Sequence, residues 1–390
     1  MVSFDNTEIS FAWRSTNELR RAKLLFRTIG SPTIVGIGNF LLKVALWLGV
    51  PISWAVKPTI FKQFVGGETL QECNSTIGLL AKYSVKSILD YSVEGKDNPQ
   101  SHESAYNEIM KSVENAALNK NITYAVFKPT GLIAVSVLEA VSKGAALTEL
   151  EKEQYHTFLQ RVDKLCMVAH SSNTPILIDA EDSWYQKAID DLAANMMQKY
   201  NKEQAVVYNT LQMYRADRLN FLKESHDTAK KQGYKLGIKL VRGAYMEKER
   251  ARAQKYNYPS PIHPTKADTD IAFNAAQEFA ITNISNISIF CGTHNELSVR
   301  LLVDLMDKHD LHPTDSRISF AQLFGMSDNI SFTLASLGYN VAKYIPYGPV
   351  KEVLPYLIRR AQENTSVKGQ TGRELALILE ELKRRSIYQS

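Results

Sequence analysis

The sequence predicts a (β/α)8 barrel with an N-terminal helical arm, and three observations support this fold class. Eight apolar, β-branched runs of strand length follow one another from about residue 85. A helical pattern follows each run, which is the alternation of a (β/α)8 barrel. The inner runs are apolar throughout, as parallel strands covered on both faces should be. The predicted strands are 85–91, 122–128, 175–180, 204–209, 236–242, 287–291, 317–323 and 341–346.

The predicted helices between the strands carry apolar residues at three- and four-residue spacing. In 184–200, for example, Ile189, Leu192 and Met196 would lie in the buried stripe. A doubly wound open sheet is the alternative arrangement of the same elements. The other helical patterns cover 148–170, 214–231, 266–282, 295–309 and 350–363.

Residues 8–80 are also helical in pattern but lie outside this alternation. We therefore expect a helical arm over 1–80, a catalytic barrel over 81–370 and a C-terminal helical tail over 371–390. In the arm, a basic segment at 14–27 precedes an apolar stretch from Ile34 to Val56, which Lys43 and Pro51 interrupt. These interruptions argue against a membrane-spanning helix. The pattern suits a monotopic membrane contact, and equally an arm that packs on the main domain or on a second subunit.

Composition and charge exclude several classes of function. The 390 residues have a formal charge of +5, and the basic residues are spread along the chain with acidic residues between them. This distribution does not predict a nucleic-acid partner. Cys73, Cys166 and Cys291 are too few and too widely spaced for a disulfide framework or a cysteine metal site, which is typical of a reducing compartment.

Polar residues stand at the end of each predicted strand. An isolated polar strand end is usually only the start of a loop, but a full set in register predicts a cavity at the carboxyl ends of a barrel. The set comprises Asp90, Lys128, Asp179, Gln212, Lys239, Arg242, Thr293, His294, Gln322 and Tyr344.

Two chemistries fit such a cavity. Lys128 and Lys239 could form a Schiff base with a carbonyl substrate, as in lysine-dependent aldolases. Alternatively, Lys239, Arg242 and Lys266 could bind the phosphates of a large cofactor beside Gly243. No GxGxxG motif follows the first strand, so a Rossmann site is not predicted. A metal set of Asp179, Glu181 and His294 is a weak alternative because the histidines lack metal-ligand spacing.

A pair of adjacent arginines, Arg359 and Arg360, precedes Glu363 in what reads as the end of a helix. Glu363 is four residues from the first arginine and three from the second, so it can pair with either on a helical surface. Two guanidinium groups suit a small carboxylate ligand. On its own, the run is more often an exposed basic helix end.

Several motifs together resemble the proline dehydrogenase family. Lys239-Leu-Val-Arg-Gly-Ala-Tyr245 is similar to a signature of that family, as are Leu-Asp-Tyr-Ser-Val-Glu at 89–94 and Ile-Asp-Ala-Glu at 178–181. Gly-Thr-His-Asn at 292–295, Tyr344 and Arg359-Arg360-x-x-Glu363-Asn364 complete the series in the same order. The resemblance is closer to the stand-alone enzymes than to the bifunctional fusions, because the sequence ends soon after Asn364.

The resemblance implies a distorted (β/α)8 barrel that binds FAD non-covalently. It implies oxidation of L-proline to 1-pyrroline-5-carboxylate, with electrons passed to a membrane quinone. It also implies a cytoplasmic enzyme at the periphery of the inner membrane, or a mitochondrial one in a eukaryote. A homo-oligomer is left open, and hydroxyproline is the alternative substrate.

The resemblance also implies the site residues. Arg359 and Arg360 would hold the proline carboxylate, which Lys128 would face beside Asp179. Tyr245, Leu323 and Tyr344 would pack on the ring, and Tyr344 would crowd a 4-hydroxyl group. The family also uses arginine at the Lys239 position and lysine at the Arg242 position. The flavin would contact Gln212, Lys239, Val241, Arg242, Gly243, Ala244, Thr265, Lys266, Thr293, His294, Gln322 and Glu363.

Overall fold

Eight parallel strands form a closed barrel in the computed structural model, and they follow one another in chain order around it. The barrel closes where β8 pairs with β1, with Lys86 opposite Ala342. The predicted (β/α)8 class is therefore confirmed, and the alternative of an open sheet is wrong. The strands are β1 Lys86–Tyr91, β2 Ile122–Phe127, β3 Ile176–Ile178, β4 Val207–Gln212, β5 Leu236–Val241, β6 Ile287–Gly292, β7 Ile318–Leu323 and β8 Val341–Tyr347.

Helices precede the barrel and connect its strands. The structure describes residues 2–48, 50–92, 97–366 and 370–387, without the side chains of 41, 43–46, 363–366, 370 and 371. The helices of the arm are α1 Thr7–Phe11, α2 Thr16–Ile29, α3 Pro32–Trp47, α4 Ser53–Val56, α5 Lys62–Phe64 and α6 Leu70–Ala81. The later helices are α7 Pro99–Leu118, α8 Val135–Ser142, α9 Glu149–Ser171, α10 Ser183–Tyr200, α11 Arg218–Gln232, α12 Met246–Tyr256, α13 Lys266–Thr282, α14 Glu296–Lys308, α15 Asp328–Ser336, α16 Leu354–Ser366 and α17 Gln370–Ile387.

Three predicted elements are displaced along the chain: the fourth strand, the helix after it, and the helix predicted at 350–363, which spans Leu354–Ser366. The fourth strand begins at Val207 and not at residue 204, and the Asn201 side chain binds the backbone amides of Val206 and Val207 just before it. The following helix begins at Arg218 and not at residue 214. The cause is Tyr214, whose backbone N–H donates to the Arg242 carbonyl and whose carbonyl accepts from the amide of His263.

The arginine pair does not lie at a helix end. Arg359 and Arg360 are in the middle of α16, which continues to Ser366. Glu363, four residues after Arg359, therefore lies on the same helix. Its side chain is outside the described part of the structure.

Two compact units divide the chain. The first contains Met1–Val2 and Lys96–Ala321, and the second contains Ser3–Gly95 and Gln322–Ser390. In the first unit, the ring of Tyr124 meets those of Tyr208 and Phe290 edge to face, with ring centroids 5.6 and 5.0 Å apart. Large aromatic residues thus fill the space between these strands, as the core of a small barrel requires. The expected segments 1–80, 81–370 and 371–390 stay a prediction.

The second unit joins the arm to β8, α16 and α17 through an apolar core and a buried ionic cluster. Phe26 and Phe64 pack edge to face in that core, which also includes Leu357. The fully buried ammonium of Lys343 lies 2.9 Å from Asp328, which also accepts a hydrogen bond from Arg14 of the arm at 3.0 Å. A buried charge needs such partners, because an isolated one is strongly destabilising.

The three cysteines are free and buried. Burial raises the pKa of the Cys73 and Cys291 thiols to about 12. Thiols with such a pKa are almost entirely protonated near neutral pH, so they act as small apolar core residues.

Candidate active site

Three of the predicted site residues lie together: Lys128 and Asp179 directly follow β2 and β3, and Lys239 lies within β5. Asp179 follows β3 and is buried, and its two carboxylate oxygens bind two lysines. The ammonium of Lys239 lies 2.6 Å from Oδ1, and that of Lys128 lies 3.4 Å from Oδ2. One carboxylate thus holds two cations, and this small cluster has a formal excess of one positive charge. Such an excess favours an anionic ligand.

Glu181, two residues further along the chain, ties the end of β3 to the loop after β2. Its carboxylate accepts hydrogen bonds from the backbone amide and the hydroxyl of Thr130, at 2.9 and 2.6 Å. Its carbonyl accepts from the Gln212 side chain at 2.6 Å, and Gln212 also accepts from the amide of Ala244. The amide side chain of Gln212 therefore connects the ends of β3 and β5.

Burial raises the pKa of Glu181 to about 7, although the hydrogen bonds from Thr130 and the charge of Lys128 oppose this change. A raised native pKa favours the protonated form in the folded protein. The corresponding stability is present below the unfolded-state pKa, near 4.3, and is lost as the pH rises towards 7.

We expect Glu181→Gln to flatten this part of the pH dependence. The free energy of unfolding of the wild type should fall by about 2–4 kcal/mol more than that of the variant between about pH 4.5 and 7.5. Urea denaturation at several pH values measures this difference. The exposed Glu153→Gln is the control, and an unchanged slope for Glu181→Gln would contradict the raised pKa.

Gly243 lies two residues beyond the end of β5. Its backbone has a positive φ of 124°, a conformation that favours glycine. A β-carbon at this position would come within 2.4 Å of the Tyr214 ring. The backbone and the ring therefore meet closely at this strand end, and no residue with a side chain fits without a shift. Such close backbone approach is typical of glycines beside a bound cofactor.

We expect Gly243→Ala to lower the stability and the retention of any bound cofactor. The strained φ and the contact with Tyr214 should together cost about 2–3 kcal/mol of unfolding free energy. Gly144→Ala is the matched control, because Gly144 also has a positive φ of 66° but open space around it. Equal losses in the two variants, measured by urea denaturation, would show that the contact with Tyr214 is unimportant.

Arg242, the residue before Gly243, is held by three side chains. Its guanidinium donates to Asp270 at 2.6 Å, to Thr293 at 2.6 Å and to Ser298 at 2.9 Å. It also lies over the Phe273 ring, 4.5 Å from the centroid. A guanidinium has five N–H donors, so these three bonds leave capacity for an anionic group.

Asp270 connects Arg242 to Lys266, whose ammonium lies 2.7 Å from its other oxygen. Burial opposes ionisation of this carboxyl, but the hydrogen bonds from Lys266 and Arg242 lower its pKa overall. Thr265 caps the start of α13 by accepting a hydrogen bond from the amide of Asp268. These two predicted flavin residues therefore lie at one helix end, and Lys266 shares a carboxylate with Arg242.

The remaining predicted residues of the first unit adjoin these groups in sequence. Val241 ends β5, and Tyr245 is half-buried immediately before α12. His294 follows the buried Thr293 and is itself half-buried.

In the second unit, the end of β7 holds Gln322 and Leu323, whereas Tyr344 lies in the middle of β8 and not at its predicted strand end. Gln322 is buried and accepts a hydrogen bond from the Ser331 hydroxyl at 2.8 Å, and Leu323 ends β7. Tyr344 is 8% exposed, and its carbonyl accepts from the amide of Phe324 at 2.9 Å. The hydrogen bond from Phe324 fixes the backbone that presents the Tyr344 ring.

The arginine pair also belongs to the second unit, on α16. Arg360 is buried, and its guanidinium lies 5.1 Å from the centroid of the Tyr356 ring, whereas Arg359 is half-buried. The interpretation of the pair as an exposed basic helix end is therefore wrong for Arg360. A buried guanidinium that stacks on a ring is well placed to bind a carboxylate.

Two residues that shape the candidate site were missed in the sequence. Asp270 and Ser298 hold Arg242, but neither lies at a strand end. The spacing of four between Lys266 and Asp270 on a predicted helix was the available signal for that ion pair.

A closed (β/α)8 barrel with charged side chains at and near the carboxyl ends of its strands has the architecture of the barrel enzymes. Comparison with known proteins narrows this class. The family model described as proline dehydrogenase matches residues 73–373. The chain therefore belongs to the proline dehydrogenase family, which is a family of oxidoreductases.

Individual relatives agree with this assignment. The chain is 35% identical over 384 residues to proline dehydrogenase 1, mitochondrial, of Dictyostelium discoideum, with 87% of this chain and 67% of the relative covered. It is 41% identical to proline dehydrogenase 1, mitochondrial, of Homo sapiens, over 61% of this chain and 40% of the relative. A carbapenem antibiotics biosynthesis protein, CarD, of Pectobacterium carotovorum is 34% identical over 83% of this chain and 84% of that protein.

A solved structure shares the fold. Proline utilization A from Bdellovibrio bacteriovorus, inactivated by N-propargylglycine, superposes with a TM-score of 0.72 at 19% identity. The match covers 94% of this chain and 38% of that much longer one, and at this identity it supports the fold alone.

Proposed function

We propose that this protein oxidises L-proline to 1-pyrroline-5-carboxylate with non-covalently bound FAD and passes the electrons to a membrane quinone. The observation that supports the proposal most is the Lys128–Asp179–Lys239 cluster, in which Asp179 and Lys239 are buried and Lys128 is half-buried. The cluster lies within the 73–373 match to the proline dehydrogenase family. A site with a fixed positive excess suits both an amino-acid carboxylate and an anionic cofactor.

The residues around β5 fit the cofactor. Lys239, Arg242 and Lys266 would supply positive charge to the FAD pyrophosphate, and Gly243 would allow close approach of the backbone. FAD, when bound, supplies the two-electron acceptor that takes a hydride. The further flavin contacts that we propose are Gln212, Val241, Ala244, Thr265, Thr293, His294, Gln322 and Glu363.

The substrate would be held at its carboxylate end. Arg359 and Arg360 would bind the proline carboxylate with Lys128, and Asp179 would fix the Lys128 ammonium that faces it. Tyr245, Leu323 and Tyr344 would pack against the ring and exclude water. In the reaction, proline loses a hydride from the ring carbon next to nitrogen and a proton from nitrogen, which leaves a C=N bond. The protein residues therefore supply placement, and misplacement by about 1 Å can cost roughly 100-fold in rate.

The Schiff-base alternative is less favoured. The ammonium of Lys239 lies 2.6 Å from Asp179, and a lysine must lose its proton before it can attack a carbonyl. Treatment with borohydride in the presence of substrate tests this alternative directly. Covalent trapping through a lysine, in protein without a flavin spectrum, would favour the aldolase.

Hydroxyproline is the second candidate substrate. We expect Tyr344 to be the residue that discriminates between proline and hydroxyproline. Its ring is bulky and almost buried, so it should crowd a 4-hydroxyl group. Tyr344→Ser should raise activity on trans-4-hydroxyproline relative to proline by about tenfold, since one pocket contact changes discrimination by about 1–3 kcal/mol. Tyr344→Phe is the control, and the same activity ratio in all three proteins would count against crowding.

Proline-dependent reduction of a soluble dye tests the proposed activity without a membrane. Quinone-containing vesicles then test the electron acceptor separately. We further propose a location at the periphery of the inner membrane, which is the mitochondrial one if the source is eukaryotic. Absence of dye reduction by flavin-loaded protein at saturating proline would reject the proposed function.

A further inference from the structure

The N-terminal arm exposes a series of large apolar side chains on and beside α3 and on α4. Trp47 and Trp54 are 83% and 77% exposed, and Phe40 is 65% exposed. An exposed apolar surface of this kind is unusual on a soluble monomer and marks an interaction site. We call this series the apolar arm face, and its members are Ile34, Ile37, Phe40, Trp47, Leu48 and Trp54.

The helical part of this face is one-sided. At 3.6 residues per turn, the members on and next to α3, from Ile34 to Leu48, fall within an arc of about 140°. Val35 and Leu42 point to the opposite side, where they pack against the apolar core of the second unit. The helix is therefore anchored by one face and presents the other outward.

The charge pattern around the face is just as uneven. Between Arg27 and Lys57 the sequence contains a single charged residue, Lys43. On the preceding helix, α2, Arg20, Arg21 and Arg27 are exposed. Glu18 is the acidic residue of that helix, and it is engaged in capping Ser15. A helix with exposed arginines therefore directly precedes an almost uncharged apolar segment in the chain.

The dimensions of α3 favour a position along a membrane surface. Its 16 residues extend about 24 Å at 1.5 Å per residue, which is less than the roughly 30 Å of a hydrocarbon core. Among the described residues, none of the helices has both the length and the apolar character needed to cross a bilayer.

We propose that the apolar arm face inserts into one leaflet of an anionic lipid bilayer, with the arginines of α2 against the headgroups. The exposed tryptophans suit the interface between headgroups and acyl chains. The purpose of this contact, access to a membrane quinone, rests on the proposed function, but the contact itself is measurable without any catalysis.

Charge favours lipid over a second copy of this chain as the occupant. A second copy would bring the same excess of arginines to the contact, whereas anionic headgroups neutralise it. The proposed membrane binding is that of a monotopic helix. Such a helix binds through the apolar area that it buries in the membrane and through electrostatic attraction to the headgroups.

The test is flotation of the full-length flavoprotein with vesicles of phosphatidylcholine, alone or with about 30% phosphatidylglycerol. The wild type should float with the anionic vesicles. The double variant Phe40→Glu with Trp47→Glu should bind at least about tenfold more weakly. Leu118→Glu is the matched control, because Leu118 is 89% exposed on α7 of the other unit and should leave binding unchanged.

A second variant isolates the electrostatic part. Arg20→Gln with Arg21→Gln and Arg27→Gln should lose the preference for phosphatidylglycerol, by at least about tenfold. Equal vesicle binding by the wild type and the Phe40, Trp47 variant would overturn the proposal. A wild-type dimer that this variant converts to monomer, without vesicle binding by either, would also overturn it and assign the face to a second copy.

Dye-coupled proline oxidation distinguishes failure of the membrane contact from failure of the proposed function. Normal dye reduction by the Phe40, Trp47 variant would show that it is folded, so weak flotation would then support the proposal. Flotation of a wild type that does not reduce dye with proline would support the membrane contact and reject the proposed function alone.

Discussion

Arg360→Met should raise the KM for proline by about 100-fold while the protein stays yellow. A charge-assisted hydrogen bond is worth about 1.5–3 kcal/mol, and each 1.4 kcal/mol is a factor of ten in affinity. Methionine keeps most of the apolar contact with Tyr356 but removes the guanidinium, which lies 5.1 Å from that ring. Steady-state kinetics with a soluble dye measure the KM, and the flavin-to-protein absorbance ratio measures cofactor retention.

Arg373→Met is the matched control for this experiment. Arg373 lies on α17 in the same unit, and its side chain is 38% exposed in a surface ion pair with Asp5. Surface pairs of this kind contribute about 0–1 kcal/mol, so the KM should hardly change. An unaltered KM in Arg360→Met would reject the carboxylate clamp, whereas loss of flavin with an unaltered KM would reassign Arg360 to the cofactor.

Asp179→Asn should damage both stability and catalysis. The substitution leaves the buried ammonium of Lys239 without its carboxylate and also releases Lys128. Breaking a buried ion pair by removing one partner costs about 3–5 kcal/mol. We therefore expect a loss of this order in unfolding free energy, measured by urea denaturation. We also expect a fall of about 100-fold or more in kcat/KM for proline, because Lys128 would lose its fixed position.

The control is Asp191→Asn, which removes the carboxylate of an exposed ion pair with Lys187 on α10. Its expected cost is below about 1 kcal/mol, because solvent screens the pair. If Asp179→Asn were as stable and as active as this control, the Lys128–Asp179–Lys239 cluster would have no role in either property.

The barrel was predictable because its strands are covered on both faces. Uninterrupted apolar runs such as Ile176-Leu-Ile178 can be recognised without any long-range information, and the polar residue after the run, here Asp179, marks the strand end. The largest error among the strands concerned the fourth, where Asn201 binds the amides of Val206 and Val207 through its side chain. Such a side-chain contact leaves no periodic signal in the sequence.

The candidate site was predictable as a set of residues but not as a set of contacts. Lys128 was expected beside Asp179, and the two do pair. Lys239 was expected only beside the flavin, yet it binds the same carboxylate from a position 60 residues away in the sequence. The partners of Arg242 were equally hidden, because Asp270 and Ser298 reach it from two different helices. Tertiary contacts of this kind depend on strand order and helix docking, which residue patterns do not encode locally.

One absorbance measurement tests the central claim, which is flavin-dependent oxidation of proline, most directly. The purified protein should show a flavin band near about 450 nm that bleaches when L-proline is added without oxygen. D-proline and glycine are suitable control ligands, and Arg360→Met should require about 100-fold more L-proline for the same bleaching. A flavin band that L-proline leaves unchanged at any concentration would contradict the account.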